Sequence, residues 1–272
     1  MSNTTNNRYW IWGYVMKNVP EKLPFMQQAT YCSLETAASY FGADNTIFCN
    51  SFHGIDALGD ELLGHIAPSK EIICGLTHGA YAESAARVSE LSLRYPNITG
   101  AIIDDFLDYH GPSYGMTVEQ MKRIYENLKT KNPELKLWVV RYSRHPIDEI
   151  EPFIDYIDGI NWWIWVSTEH YWRYQYPLDI RALGKYGKPV LQGVFLNNYG
   201  EGTNQPLDMP LVELQMVKIT EAMRNTMGGY GHAFVSGCVL LQNGWMGLES
   251  HRKQTMWLKD YIAWHIGTTT MR

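Results

Sequence analysis

ITGAIIDDFL, residues 98–107, runs six residues as an almost continuous apolar segment and then turns into two adjacent carboxylates, Asp104 and Asp105. A strand apolar on both faces belongs in a parallel sheet covered on both sides, so this stretch reads as an interior strand with a polar end. Seven further segments share the pattern: YWIWGYVM (9–16), NTIFCNSF (45–52), EIICGLTHG (71–79), KLWVVRYSR (136–144), DGINWWIWV (158–166), PVLQGVFLNNYG (189–200) and HAFVSGCVLLQNG (232–244). Between them lie amphipathic stretches, among them SLETAASYF, YAESAARVSELSLRY, TVEQMKRIYENLKTKN, IDEIEPFIDYI, LVELQMVKITEAMRNTM and SHRKQTMWLKDYIAWH. In the third of these, Val118, Met121, Ile124, Tyr125 and Leu128 mark one face behind Thr117 as N-cap.

Eight strand–helix units of about 34 residues each predict a closed (β/α)8 TIM barrel, an α/β fold formed by residues 1–272 as a single domain. The competing architecture is an open doubly wound sheet. WGYVMKNVPEKL carries no glycine-rich phosphate fingerprint after the first strand, which counts against it. No linker or charge block divides the chain.

Composition narrows the function classes. The 272 residues are 45% hydrophobic, which supports a large core, and the net charge of −5 supplies no field for nucleic acid or an anionic membrane. No apolar run is long enough to span a bilayer, and MSNTTNNRYW has no secretory-signal pattern, so a cytoplasmic location is expected. Cys32, Cys49, Cys74 and Cys238 are too scattered for a metal finger and read as reduced core thiols. The 10 Trp and 18 Tyr are the compositional excess, and aromatic faces with polar handles suit stacking on sugars.

In a barrel of this kind the active site forms where the strands end, at the C-terminal mouth. The polar and aromatic residues at those ends are Tyr14, Asn50, His53, His78, Asp104, Asp105, Asp108, Arg141, Tyr142, Trp163, Trp165, Gln192, Asn197, Gln242 and Trp245. Strand geometry sends successive side chains to opposite faces, so Asp104 and Asp105 share one pocket only if the strand stops or bulges between them. A carboxylate pair so placed raises one pKa by repulsion and burial, leaving a general acid. The alternative is that one Asp caps a turn while the other pairs with a base. Arg141 reads either as a substrate or aspartate partner or as a salt bridge to one of the aspartates. HYWRYQYP (170–177) reads either as a subsite wall or as a helix packed on the barrel.

The fourth strand ending AIIDDF resembles the catalytic signature of the O-GlcNAcase-type barrel glycoside hydrolases and their hyaluronidase and hexosaminidase relatives. The resemblance implies Asp104 as the group that orients and polarises a 2-acetamido nucleophile, and Asp105 as general acid/base. It also implies Trp245, in QNGWMG after the eighth strand, as a floor for the sugar. The family's first-strand motif has no match in WIWGYVMKN, nor its later sugar-binding aspartate in LQGVFLNNYG.

The expected activity is therefore carbohydrate hydrolysis by a glycosidase, with no cofactor or metal and a carbohydrate as partner. Three alternatives stay open: a two-carboxylate retaining or inverting glycosidase using Glu201, a metal-dependent hydrolase or sugar isomerase using His53, His78 and the aspartates, and a non-catalytic carbohydrate-binding barrel.

Overall fold

The computed structural model describes residues 7–18, 20–22, 28–50, 54–108, 113–198, 200, 205–225, 234–242 and 245–270. His53 and Glu201 lie outside these described residues. Eight parallel strands form a closed barrel in sequence order: β1 (Tyr9–Gly13), β2 (Asn45–Phe48), β3 (Glu71–Gly75), β4 (Ile98–Ile103), β5 (Lys136–Tyr142), β6 (Gly159–Trp163), β7 (Pro189–Val194) and β8 (Phe234–Leu241). Strand β8 closes the ring on β1, pairing Trp10 with Val239 and Trp12 with Leu241.

The connections carry α1 (Leu34–Phe41), α2 (Asp60–Ile66), α3 (Tyr81–Leu91), α4 (Val118–Lys129), α5 (Tyr176–Leu183), α6 (Met209–Asn225) and α7 (Arg252–Thr270). The β5–β6 connection is a 3-10 helix over Ile147–Tyr156 with Pro152 inside it, where the missing N–H cannot support regular i→i−4 bonding. Helix α4 begins at Thr117 with a reciprocal capping box to Gln120 and buries Met121, Ile124 and Leu128. Val118, assigned from the sequence to that same face, is exposed because it lies in the first turn, beyond the barrel wall.

Tryptophan fills much of the barrel interior, and glycine on the neighbouring strand makes room for it. A Cβ at Gly159 would overlap the Trp138 ring, and one at Gly193 would overlap Trp163. Trp12 meets Trp163 edge to face at 6.0 Å, and the Phe195 ring lies 4.7 Å from that of Trp163. Large rings opposite glycines keep the interior close-packed without strain. Trp162 points the other way and stacks on Tyr176 of α5 at 5.7 Å and 6°. The segment HYWRYQYP is a helix packed on the barrel, a π-helical turn over Tyr171–Gln175 leading into α5, with Trp172 and Tyr176 buried. All four cysteines are buried and none is in a disulfide.

Candidate active site

The strand β4 ends at Ile103, immediately before the two aspartates. Asp105 then takes a left-handed backbone with φ of 49°, and Leu107 follows with φ of 63°. Asp tolerates this region better than most residues, whereas Leu rarely enters it, so the turn is held by its surroundings. Breaking the strand's alternation here lets both carboxylates serve the same end of the barrel. Asp104 accepts the N–H of Asp105 at 3.0 Å and has the Cys49 thiol 3.9 Å from its Oδ2. Asp105 accepts a hydrogen bond from the Tyr142 hydroxyl at the end of β5.

Around that bond lies a charged and aromatic wall. Tyr142 meets Trp165 edge to face at 4.9 Å, and the Arg144 guanidinium lies 3.9 Å from the Trp165 ring centroid and 5.1 Å from that of Tyr142. Arg144 is also paired with Asp108. Burial raises the Asp105 pKa, and the Asp108 charge adds to it, while the Tyr142 hydrogen bond, Arg144 and His145 pull the other way. Tyr142 is pushed well above the ordinary phenol value by burial and then by the two aspartates, so it stays protonated and donates. On the opposite flank Tyr14 is raised by burial, by hydrogen bonding to Cys49 and by the same two charges. Burial lowers His78 to about 4, leaving it neutral at physiological pH, and its ring meets Tyr81 at 6.0 Å.

Several strand-end residues do other work. Arg141 is 0% exposed and donates to the carbonyls of His145 and Pro146, so it neither faces a substrate nor bridges to Asp104 or Asp105. It alternates with Tyr142 along β5, and only one of the two can face the mouth. Gln192 is buried and donates to the carbonyls of Trp162 and Gly193. Gln242 donates to Cys32 O and accepts from the N–H of Tyr14 at 3.1 Å, in space left by the absent side chain of Gly13. Asn50 is buried with its amide on Thr77 Oγ1 at 3.0 Å, and Asn197 is buried in a bridge to Pro206.

The aromatic platforms also divide. Trp163 is 3% exposed, enclosed by Trp12 and Phe195, with its indole N–H on Asn161. Trp245 is 2% exposed and tilts against His251 at 6.4 Å. Neither offers an open face, so Trp245 does not present the sugar floor that the resemblance implies, and of Trp163 and Trp165 the latter is the one left to reach the mouth. Trp165 is half-buried beside Tyr142 and is the tryptophan of the expected set that meets the aspartate wall.

The reading of strand ends missed Cys49 and Arg144. Cys49 lies two residues beyond Ile47, on the same face by strand alternation, and Arg144 lies two beyond Tyr142; that period was the available signal. Among the described residues no three His, Cys, Asp or Glu side chains are grouped as a metal ion requires, and no helix is long and apolar enough to cross a membrane.

With this geometry in view, no protein-family model matches the chain, and no curated protein matches it either. Solved structures do. A putative alpha-L-fucosidase from Bacteroides thetaiotaomicron aligns with TM-score 0.57 at 9% identity, over 94% of this chain and 92% of that one. A psychrophilic glycoside hydrolase family 10 endo-beta-1,4-xylanase aligns with TM-score 0.53 at 10% identity, over 90% of each chain. A family 128 (subgroup I) endo-beta-1,3-glucanase from Amycolatopsis mediterranei, solved with laminaritriose, aligns with TM-score 0.51 at 12% identity, over 93% and 92%. At such identities what is shared is the barrel.

Proposed function

We propose that this chain is a glycoside hydrolase, with Asp105 as general acid/base and Asp104 as the group that holds or stabilises the reacting sugar. The observation that carries the reading is the left-handed turn after β4, which brings two consecutive carboxylates to one mouth and leaves one of them half-buried with a raised pKa. The barrel shared with three carbohydrate-cleaving enzymes supports it as analogy.

In the proposed reaction Asp105 gives its proton to the glycosidic oxygen as the bond from C1 to that oxygen breaks, and the aglycone leaves as an alcohol. On a 2-acetamido sugar the acetamido oxygen, oriented by Asp104, bonds to C1 and forms a cyclic oxazolinium. Asp105, now a carboxylate, takes a proton from water as that water attacks C1 and reopens the ring. The free sugar is released and both carboxyl groups return to their starting states. Tyr142, which stays protonated, keeps Asp105 oriented through both halves.

The test is a panel of aryl glycosides, 2-acetamido sugars included, assayed with wild type and Asp105→Ala. A loss of about 10²–10⁴ is expected for substrates with poor leaving groups and a smaller one for good leaving groups, which need less protonation. No hydrolysis of any member by wild type, or undiminished hydrolysis by the variant, defeats the reading.

A further inference from the structure

Around Tyr81, between the first turns of α3 and α4 and the segment 113–116 that leads into α4, the surface opens into a cavity of about 290 Å³. Its size is at the lower end for ligand pockets, enough for one sugar ring rather than a chain of them. Gly79 and Gly115 line it with φ of 76° and 79°, conformations that glycine adopts without strain, and among the described residues a Cβ at either would meet open space. The rim is thus held in shape without a side chain over the opening.

The lining has the mixed chemistry of a neutral sugar site. Tyr114 is 69% exposed and supplies an aromatic face, with Met116 beside it in the lining. Gln120 uses its Oε1 in the capping box of α4, which leaves its amide NH2 uncommitted. Arg123 and Glu83 face each other at 3.8 Å, so the charges at the groove cancel and do not select an anion. The Tyr81 hydroxyl pairs with Ser113 Oγ at 3.1 Å. Tyr81 also joins the groove to the catalytic mouth. Its ring meets His78, and burial together with the charges of Asp104 and Asp105 lifts its pKa to about 12.

We propose that this groove is a subsite for one neutral sugar ring of an oligosaccharide, lying beyond the ring whose bond is cleaved at the Asp104–Asp105 pair. The proposal rests on the glycosidase reading and specifies it: the substrate is an oligomer rather than a single decorated sugar. Tyr114 provides the stacking face, and the Tyr81, Gln120, Arg123 and Glu83 polar groups meet the ring hydroxyls.

Calorimetric titration of the Asp105→Asn protein with chitotriose, xylotriose and laminaritriose tests it, each beside its monosaccharide. At least one trisaccharide should bind saturably, and Tyr114→Ala in the same background should raise its Kd about tenfold. The matching monosaccharide should be weakened less. Tyr174→Ala, which removes a 63% exposed tyrosine from the π-helical turn, should leave the trisaccharide Kd within twofold. Absence of saturable trisaccharide binding, or an unchanged Kd in Tyr114→Ala, overturns the subsite. If wild type hydrolyses aryl glycosides but Tyr114 has no effect on trisaccharide binding, the subsite falls and the glycosidase stands. If no glycoside is hydrolysed yet Tyr114→Ala costs trisaccharide affinity, the glycosidase reading falls and the groove stands only as a sugar-binding site without a cleaved bond beside it.

Discussion

The mouth of this barrel has two unlike sectors. Around the ends of β4, β5 and β6, the polar side chains that face the mouth bond to one another, Tyr142 to Asp105 and Arg144 to Asp108, with Trp165 under the guanidinium, while Arg141 on the other face of β5 is spent on backbone. Around β7, β8 and β1, the polar side chains are spent on backbone: Gln192 on Trp162 and Gly193, Gln242 on Cys32 and Tyr14. A side chain bound to backbone is fixed by the fold and stabilises it. Carboxylates bound mainly to other side chains can change proton state, and a buried one does so at a cost to the fold. Polar side chains at equivalent strand ends therefore divide, by what they touch, into braces of the fold and, on the proposed function, machinery.

The largest expected effect separates the sectors on the side of stability. Gln242→Ala leaves the Cys32 carbonyl and the Tyr14 N–H without their partner in a buried setting, and should destabilise the protein by about 1–3 kcal/mol in denaturant unfolding. An unchanged unfolding midpoint would dissolve the distinction, since Gln242 would then be no brace.

A smaller effect belongs to the other sector. Tyr142→Phe removes a donor that holds the Asp105 pKa down, so that pKa should rise further. The alkaline limb of kcat/KM on an aryl glycoside should therefore move to higher pH. A limb that stays in place, or moves down, would separate Tyr142 from the acid.

Much of this architecture is legible in the sequence, and the illegible part has a physical cause. The strand starts expected from the sequence fall within one residue of the observed ones for β1 to β7, because apolar periodicity begins sharply where the barrel does. Strand ends were overrun by three or more residues in seven of the eight, since Asn50, His78 and Trp165 continue an alternating pattern after pairing has stopped. The joint placement of Asp104 and Asp105 depended on a positive φ that residue types alone do not announce. Arg141 and Gln192 were misplaced for the same reason: a polar residue at a strand end looks alike whether it faces the mouth or the helix layer. Residue type does not separate a tryptophan that suits a sugar from one that fills a barrel, and Gly193 opposite Trp163 is the sign in the sequence that Trp163 is the filler.

The smallest expected effect tests whether the machinery sector burdens the fold. Asp105 has a raised pKa in the native protein, so between the ordinary carboxyl value and that raised value the native state binds more proton than the unfolded chain. Stability on this account is intact at pH below the unfolded carboxyl range and falls as pH rises through the native pKa. Asp105→Asn, which cannot ionise, should therefore melt at a higher temperature than wild type at pH 7, with the gain shrinking as the pH is lowered past the ordinary carboxyl range. Gln242→Ala carries no titrating group and should show a loss with no such dependence. If Asp105→Asn instead lowers the melting temperature at pH 7, the Tyr142–Asp105 pair is a brace like Gln242, and the two sectors differ in position alone.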